Sequence, residues 1–562
     1  MPTITIDGKV CEFTPGQTII QVALANGIEI PHYCYHPGMS IVASCRICLA
    51  EVWAPNPRND NKLEAIPKLV PTCQTQAGDG QVVYLDSPKT VQGQKGVMEY
   101  LLINHPLDCP VCDQAGECLL QDYSYQHGRS VSRFEEVKVK QPKKDLGPNV
   151  LLYADRCIMC TRCARFTREI TGTNELIVQG RGNQEQIDIF PGMALDNDLA
   201  SNVIDLCPVG ALLDKDFLFA KRVWDLTVTP SIDGITASGD NITLEHASGK
   251  VYRVKPRTNM AVNKWWITDE VRYGWKFIHS DERIQRPLRR RFGEMVDVEW
   301  ARALTELAEH ARKAVEEGKR FAILISPMLA SEEAYLLATA ARKIDDDCIV
   351  GLGPVPVQGE DKVFPPGAGD DHPGRFVKRA EKAPNARGVR RVLEAVLGAK
   401  RVLAFDAFVK ELGGKKVGAA LLTGNYPSMW HTDALVKAAG REDLFLAVCD
   451  TLTSRLVDGA EVVLPSSTWA EKAGCFENAM NRIQAFEQAI EPLHESMPEG
   501  QIALDLLWVL AGDTTARRRL YNAANIRMEM ADAHDALRVF TSEIHMPEQG
   551  APREADMAVV EL

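Results

Sequence analysis

The sequence predicts a multidomain α/β protein in which small cysteine-rich modules precede a larger, cysteine-poor α/β body. Its 562 residues exceed what a single hydrophobic core ordinarily holds, so several domains are expected. Twelve of the 15 cysteines lie at or before Cys207, and only three follow it. From about Phe321 onward, apolar strands alternate with helical stretches, which predicts a parallel sheet with helices on both faces.

Composition and charge exclude several classes of protein. A hydrophobic content of 45% and a charged content of 25% are typical of a folded, soluble protein. The net charge of −12 argues against nucleic acid as a partner, because phosphate binding needs the opposite sign. No apolar stretch approaches the ~18 residues of a membrane span, and the first residues lack the features of an export signal.

The spacing of the early cysteines indicates metal ligation rather than disulfides. A disulfide framework suits small secreted domains, whereas this long chain without an export signal is expected in a reducing compartment. The first group consists of Cys34, Cys45, Cys48 and Cys73. A Cys-x2-Cys pair with one cysteine before it and one far downstream follows the logic of plant-type [2Fe–2S] ligation, although the first gap is longer. Two strands, Thr3–Ile6 and Lys9–Phe13, and a helix from about Gln17 to Asn26 predict a ferredoxin-type β-grasp module.

The second group contains three closely spaced cysteines, Cys109, Cys112 and Cys118. A four-coordinate site then lacks one ligand, and His105, four residues before Cys109, is the natural candidate. Three cysteines and one histidine also form structural zinc sites, so spacing alone leaves zinc open here.

The third group is a triple Cys-x2-Cys-x2-Cys run with a distant Cys-Pro, formed by Cys157, Cys160, Cys163 and Cys207. This is the bacterial ferredoxin signature for a [4Fe–4S] cluster, and zinc sites rarely use three cysteines in so short a run. Because only one such run exists, Cys207 is expected to close its own site. Cys11 is left over and is expected to be a buried apolar residue.

The C-terminal body is predicted from alternating elements. The expected strands are Phe321–Ser326, Ala419–Leu422, Leu444–Cys449 and Glu461–Leu464, and the expected helix is Ser331–Ile344. The segment 355–388 is expected to be a long surface loop. Cys348, Cys449 and Cys475 lie beside these elements and are expected in the core. The Gly-x-Gly pairs at Gly180 and Gly351 lack the third glycine of a dinucleotide fingerprint, and no phosphate loop occurs, so NADH and flavin are expected on another chain.

The sequence motifs around the cysteines resemble those of a known family. SCRICLAEV, NHPLDCPVCDQAGECLLQD, DRCIMCTRCARF, GRGNQEQ and NVIDLCPVGAL are similar to the large iron–sulfur subunit of respiratory NADH:quinone oxidoreductase (complex I), and PSIDGI and KWWITDEVRYGW extend the similarity. The resemblance covers at least residues 1–290. It implies one [2Fe–2S] cluster on the first cysteine set and two [4Fe–4S] clusters on the others, one of them with His105 as a ligand.

A second resemblance concerns the body. VVLPSSTWAEKAGCFENAMNRIQ and SPMLASEEAYLLATAARKI are similar to the molybdopterin oxidoreductase superfamily, whose catalytic members hold their metal through a cysteine or selenocysteine near the start of the latter stretch. Here that neighbourhood is Met328-Leu329-Ala330, and none of these side chains replaces an anionic ligand. The resemblance therefore implies a molybdopterin-oxidoreductase-like α/β body without molybdopterin or a metal cofactor.

Three departures from the family pattern are visible. A polar insertion at Ala54–Pro67 is expected to be a surface loop. The absence of cysteine between Cys207 and Cys348 implies that the fourth cubane cluster of some relatives is missing. The chain ends at Leu562, earlier than the family pattern leads us to expect, which implies a shortened final lobe.

The resemblance implies an electron-transfer subunit of a proton-translocating enzyme, with no substrate chemistry on this chain. Its partners would be a flavin- and NADH-binding subunit and quinone-side iron–sulfur subunits, with the membrane arm reached only through partners. It would lie peripherally on the cytoplasmic side of the plasma membrane or the matrix side of an inner membrane. The expected domains are 1–86 ([2Fe–2S] ferredoxin-type), 87–145 (histidine-ligated [4Fe–4S]), 146–222 ([4Fe–4S] ferredoxin-like), 223–290 (small β-rich region) and 291–562 (α/β body).

Two alternatives remain open from the sequence. The electron-transfer subunit of an NAD-linked hydrogenase or formate dehydrogenase shares the same front end, but a formate dehydrogenase would need the missing metal-binding cysteine. A zinc-stapled interaction protein is an alternative of a different class, since zinc and iron–sulfur sites share ligand types.

Overall fold

The computed structural model describes residues 1–512 and 518–547 and divides the chain into two compact units. The first unit comprises Met1–Leu226 and Phe364–Arg375, and the second comprises Thr227–Val363 and the chain from Phe376 onward. Within the described residues, no helix is both long and apolar enough to cross a membrane. The early end of the chain at Leu562, expected from the sequence to shorten the final lobe, lies outside these residues.

The first unit begins with a mixed sheet that carries one helix. In spatial order its strands are Lys9–Glu12, Thr3–Ile6, Val82–Tyr84, Leu49–Asn56 and Lys62–Ala65, with Val70–Pro71 paired to Leu49–Asn56. Thr3–Ile6 pairs antiparallel with Lys9–Glu12 and parallel with Val82–Tyr84. Helix Ile19–Ala25 buries its apolar side chains in the same core, because Ile19 and Val22 lie on one face at helical spacing. The two predicted strands and the helix are therefore present, and the helix is shorter than predicted.

The insertion Ala54–Pro67 lies largely on the surface, as predicted, but it is mostly a β-hairpin and not a loop. Strand Leu49–Asn56 extends into it and pairs antiparallel with Lys62–Ala65. Asp60 and Asn61 close the turn with φ of 49° and 56°, a left-handed conformation that Asp and Asn tolerate better than most residues. The second strand of this hairpin is exposed, so the insertion lengthens the sheet without entering the core.

The rest of the first unit is built from short elements on either side of the later cysteines. Its helices are Pro88–Leu102, Leu119–His127, Arg162–Phe166, the π-helical turn Thr167–Thr171 and Asn202–Leu206. Leu212–Asp214, Val150–Tyr153 and Lys143–Asp145 form an antiparallel three-stranded sheet, and Leu176–Gln179 and Gln186–Ile189 form a hairpin. These elements are too short to be stable alone, so their order depends on the packing around the cysteines.

The second unit opens with the antiparallel sheet Thr227–Ile232, Asn241–Ala247 and Lys250–Pro256 and the short helix Asp269–Tyr273. Its large sheet has eight strands, in the spatial order Glu294–Asp297, Leu288–Arg291, Val462–Pro465, Phe445–Asp450, Val417–Thr423, Arg320–Ile325, Ile349–Leu352 and Val402–Leu403. The last six strands are parallel, whereas the first two form an antiparallel edge. The predicted parallel sheet is thus confirmed for these six strands, and the antiparallel edge makes the whole sheet mixed.

Helices cover both faces of this sheet, as predicted. They are Trp300–Glu316, Ser331–Ile344, Ala386–Leu397, Phe405–Leu412, Asp433–Ala439, Arg455–Gly459, Glu499–Ala511, Ala523–Ala533 and Val539–Ser542. Two apolar clusters lie on opposite faces of strand Arg320–Ile325. Ile323 and Ile325 pack into the first cluster, and Ala322 and Leu324 pack into the second. Because strand side chains alternate between faces, a strand that is apolar throughout needs a helical layer on each side.

The segment 355–388 differs from the long surface loop predicted for it. It contains the paired strands Lys362–Phe364 and Phe376–Lys378, and helix Ala386–Leu397 begins within it. Phe376, Ala383 and other side chains of the segment are buried. The Pro- and Gly-rich composition predicted irregular chain but did not predict this burial. A further hairpin, Gly474–Glu477 with Ile483–Phe486, completes the described strands.

Candidate iron–sulfur centres

The first cysteine set lies on loops beside the N-terminal sheet. Cys48 immediately precedes strand Leu49–Asn56, and Cys73 follows Val70–Pro71, so the pairing of these strands brings the two cysteines together. All of the set are buried except Cys45, which is partly exposed. The sheet therefore positions cysteines that are far apart in sequence.

A connected series of contacts links the four thiols of this set. Cys34 forms hydrogen bonds with Cys45 and Cys73, and Cys48 forms one with Cys73. The bonds from Cys45 and Cys73 lower the pKa of Cys34, and the bond from Cys73 lowers the pKa of Cys48 to about 7. Two of the four sulfurs thus favour the thiolate, which is the form that binds metal. The structure brings all four predicted residues together.

The second set lies between helices Pro88–Leu102 and Leu119–His127. Cys109 is exposed and begins a short turn, whose end is marked by a hydrogen bond from the Cys112 amide to the Cys109 carbonyl at 3.3 Å. Cys118 is the N-cap residue of the following helix and is buried. Burial is the main cause that raises the pKa of Cys118. The charges of Cys112 and Cys109 add to it, so the three thiols lie within electrostatic reach of one another.

His105 is a neutral imidazole with an unused nitrogen. Its Nδ1 atom is shielded from solvent and has no hydrogen-bond partner in the described ranges. Burial, followed by the charges of Arg156 and Lys138, lowers its pKa to about 4. Neutral imidazole is the form that ligates metals. No hydrogen bond joins His105 to the three thiols of its set among the described residues, so its membership remains a prediction.

Two residues beside the second set were not predicted from the sequence. Gly210 packs against Cys112, since a Cβ built on this glycine would lie 2.2 Å from the Cys112 Sγ atom. Arg156 is 3% exposed and forms an ion pair with Asp108 at 2.9 Å. Gly210 lies two residues after the Cys207-Pro208 pair. The motif CPVG therefore needs a residue without a side chain at its last position, and the spacing of the cysteines alone does not indicate this need.

Left-handed residues shape the backbone of the third set. Met159 and Thr161 have φ of 51° and 61°, and they stand on either side of Cys160. This conformation is costly for residues with a side chain, so it marks a backbone that the surrounding structure holds in place. Cys163 then lies in the first turn of helix Arg162–Phe166.

All four cysteines of the third set line one enclosed cavity. Apolar side chains complete its wall, among them Leu152, Ile158, Ile187, Val209 and Leu212. Burial raises the pKa of these thiols, that of Cys160 to about 11. The Met159 amide donates a hydrogen bond to Cys157 Sγ at 3.3 Å. Cysteines around an apolar space, with an amide directed at sulfur, form the environment that a buried cluster needs.

The three sets share one apolar core. Buried members of this core include Cys34 from the first set, Cys118 from the second and Cys160 from the third. Tyr33 and Met98 belong to the same core, and the Tyr33 hydroxyl donates to the Met98 sulfur at 3.3 Å. Within the described residues, no three His, Cys, Asp or Glu side chains are placed to hold a single metal ion. Cluster ligands bind different irons, so their donors surround a space and do not converge on one point.

The remaining cysteines are core residues, as predicted. Cys11, Cys348, Cys449 and Cys475 are all buried. The stretch Met328-Leu329-Ala330 is also buried and leads into helix Ser331–Ile344. It therefore forms part of the packing of the body.

Three cysteine sets on one core, followed by a cysteine-poor α/β body, are an arrangement typical of iron–sulfur proteins. Five protein-family models match the chain. They are the 2Fe-2S iron-sulfur cluster binding domain (1–88), the NADH-ubiquinone oxidoreductase-G iron-sulfur binding region (94–133), the NADH-quinone oxidoreductase subunit 3 ferredoxin-like domain (147–213), the NADH-ubiquinone oxidoreductase NDSU1/NuoG-like 4Fe-4S domain (226–276) and molybdopterin oxidoreductase (380–508). The match at 226–276 covers a stretch without cysteine.

Relatives of known identity agree with these domains. The mitochondrial NADH-ubiquinone oxidoreductase 78 kDa subunit of Neurospora crassa is 40% identical over 346 residues, which cover 61% of this chain and 45% of the relative. The corresponding NADH-quinone oxidoreductase subunit of Rickettsia bellii is 36% identical over 344 residues, which cover 61% and 48%. Over these residues the chain is therefore similar to subunits of NADH-ubiquinone and NADH-quinone oxidoreductases. It spans about half the length of the curated relatives that it matches.

One solved structure also shares sequence with the chain. The NAD+-reducing [NiFe]-hydrogenase in the H2-reduced state is 30% identical, with 40% of this chain and 91% of that chain covered. The TM-score is 0.34, which is too low for an argument from the fold.

Proposed function

We propose that the chain is the electron-transfer subunit of an NADH:quinone oxidoreductase, the complex I type. The observation that carries this proposal is the shared core, which holds three cysteine sets in one unit whose domains match family models of NADH:quinone oxidoreductase. In this role the chain carries single electrons from a flavin-bearing partner toward quinone-reducing partners. No bond of NADH or quinone is made or broken on it.

Cys34, Cys45, Cys48 and Cys73 would hold a [2Fe–2S] cluster. The contacts that link all four of these thiols support this assignment, because such a cluster is held by four thiolates. His105 with Cys109, Cys112 and Cys118, and Cys157 with Cys160, Cys163 and Cys207, would hold two [4Fe–4S] clusters. When bound, these clusters accept and release one electron at a time.

The protein's own contribution is to hold the sulfurs, exclude water and set the charge around them. Burial of the third set and the amide directed at Cys157 serve these ends. At the second set, His105 would replace a thiolate with a neutral ligand. One negative charge fewer makes reduction of that centre easier.

The finer assignments are proposals of the same kind. FMN and NADH would bind a partner subunit, and contact with the membrane arm would be made through partners on its cytoplasmic or matrix side. The body would hold neither molybdopterin nor a fourth cubane cluster, because no cysteine is present at Met328-Leu329-Ala330 or between Cys207 and Cys348. The boundaries 1–86, 87–145, 146–222, 223–290 and 291–562 are kept as proposed domains.

The test is spectroscopy of the full chain purified without oxygen. We expect a brown protein with about ten irons per chain and, after dithionite reduction, EPR signals of one [2Fe–2S] and two [4Fe–4S] centres. A colourless protein that contains zinc would contradict the proposal and support the zinc-stapled alternative.

A further inference from the structure

Two arginines beside the third cysteine set are buried. Arg162 is 7% exposed and Arg165 is 2% exposed, and both lie on helix Arg162–Phe166, which also carries Cys163. Arginine is almost never buried without compensation, because its guanidinium stays charged at every ordinary pH. These two side chains therefore need an explanation.

Both guanidinium groups reach the loop of the first cysteine set. Arg162 donates a hydrogen bond to the carbonyl oxygen of Tyr35. Arg165 donates to the carbonyl oxygen of Cys34 and, at 2.5 Å, to that of Ser40. The helix of the third set is thus tied to the first set by two cationic side chains.

These hydrogen bonds do not neutralise the charges. The acceptors are carbonyl oxygens, and neither arginine forms an ion pair with a carboxylate in the described part of the chain. Burial lowers the pKa of Arg162 and so disfavours its charge, whereas the sulfurs of Cys160, Cys34 and Cys207, which come from two different sets, favour it. A buried charge is retained at reasonable cost only when an opposite charge lies near it.

We propose that Arg162 and Arg165 supply positive charge shared by the first and third centres, and thereby raise the reduction potential of both. This inference rests on the proposed function. A centre held by four thiolates is anionic and becomes more so when it gains one electron, so a fixed cation stabilises the reduced form more. Arg162 and Arg165 would act through their charge without ligating either cluster, and their hydrogen bonds to the first-set loop hold that charge in place.

The test is an EPR-monitored redox titration of the full chain with its clusters assembled. Arg162→Gln and Arg165→Gln should each lower the midpoint potentials of the first and third centres. We expect the ratio of reduced to oxidised centre at a fixed ambient potential to fall about tenfold, which corresponds to ~59 mV for one electron. Arg168→Gln is the matched control, since Arg168 follows in the next turn, is 60% exposed and pairs with Glu169 at 2.8 Å.

Potentials in both buried variants equal to those of Arg168→Gln would overturn the inference. If the glutamine variants lose iron, Arg162→Lys and Arg165→Lys decide, because lysine keeps the charge without the planar fork. Iron and potentials retained with lysine would support the role of charge. Iron lost with both substitutions would overturn it, since the hydrogen-bonded fork would then be the requirement. Wild-type protein without clusters would instead refute the proposed function.

Discussion

Gly210 lies against Cys112 so closely that a Cβ on the glycine would stand 2.2 Å from the cysteine sulfur. Real Cβ atoms do not approach a neighbour below about 3 Å, so either the loop or the sulfur would have to move. The loop that carries Cys207 is therefore also a wall of the neighbouring set. This contact joins two sets that are separate in sequence.

The Gly210→Ala substitution should damage the second centre selectively. The added methyl group displaces Cys112, so we expect the EPR signal of the histidine-containing centre to be lost or reduced severalfold while the [2Fe–2S] signal remains. Gly96→Ala is the control, because Gly96 lies in helix Pro88–Leu102 with no atom near the position of a Cβ. Normal iron content in Gly210→Ala would contradict the contact.

Cys73→Ala should remove the [2Fe–2S] centre. Cys73 contacts both Cys34 and Cys48, so its loss leaves three thiolates for a cluster that needs four. EPR should show loss of this signal with the [4Fe–4S] signals retained. Cys11→Ala is the matched control, since Cys11 is an equally buried cysteine of the same domain outside the ligand set. Equal loss in both variants would show a general packing effect.

His105→Cys should lower the reduction potential of the second centre. A thiolate in place of a neutral imidazole adds one negative charge, which disfavours the gain of an electron. The measurement is a redox titration of that centre's EPR signal against the wild type. An unchanged midpoint potential would exclude His105 as a ligand.

The stability of the C-terminal body should fall as pH rises through neutrality. Lys472 lies between two buried carboxylates, 2.5 Å from Glu499 and 2.9 Å from Glu333. Burial raises the pKa of Glu499 to about 7, from 4.5 in an exposed carboxyl group, against the attraction of Lys472. The folded state therefore keeps this proton longer than the unfolded state. Its contribution is complete below about pH 4.5 and is lost as pH rises through 7, with a slope of at most ~1.4 kcal/mol per pH unit.

Urea unfolding followed by tryptophan fluorescence between pH 5 and 8 measures this effect. Glu499→Gln should flatten the pH dependence of the midpoint, because glutamine does not titrate. Glu442→Gln should leave it unchanged, since Glu442 is exposed. A steep dependence retained in Glu499→Gln would assign the titration to another group.

Sequence spacing predicted the cysteine sets because cluster ligation is a short-range rule. A Cys-x2-Cys motif places its two thiolates in one tight turn, independently of the fold of the rest of the chain. Arg162, Arg165 and Gly210 were missed for the opposite reason. Their roles depend on the approach of Tyr35, Cys34 and Cys112, and a single sequence contains no signal for such long-range contacts.

The errors in the fold have local and long-range causes. The hairpin within Ala54–Pro67 could have been predicted from Asp60-Asn61, because Asp and Asn are suited to a left-handed turn. The antiparallel edge at Leu288–Arg291 carried no such signal, because it pairs with the distant strand Val462–Pro465. The two strands within 355–388 pair with each other, and nothing in their sequence indicated that part of this segment is buried. Burial of both faces of the strand over Phe321–Ile325, by contrast, followed directly from the unbroken apolar run of these five residues.

A single core that contains cysteines from three sets limits how this protein can change. One cysteine set cannot be replaced independently of the others. Cys34, Cys118 and Cys160 belong to three different sets, and each contributes to the core that packs around the other two sets. Removing a centre would leave a gap beside its neighbours, and a replacement would need matching changes at Tyr33, Met98 and their contacts. The three cysteine sets, which follow one another along the chain, are thus a single unit for engineering.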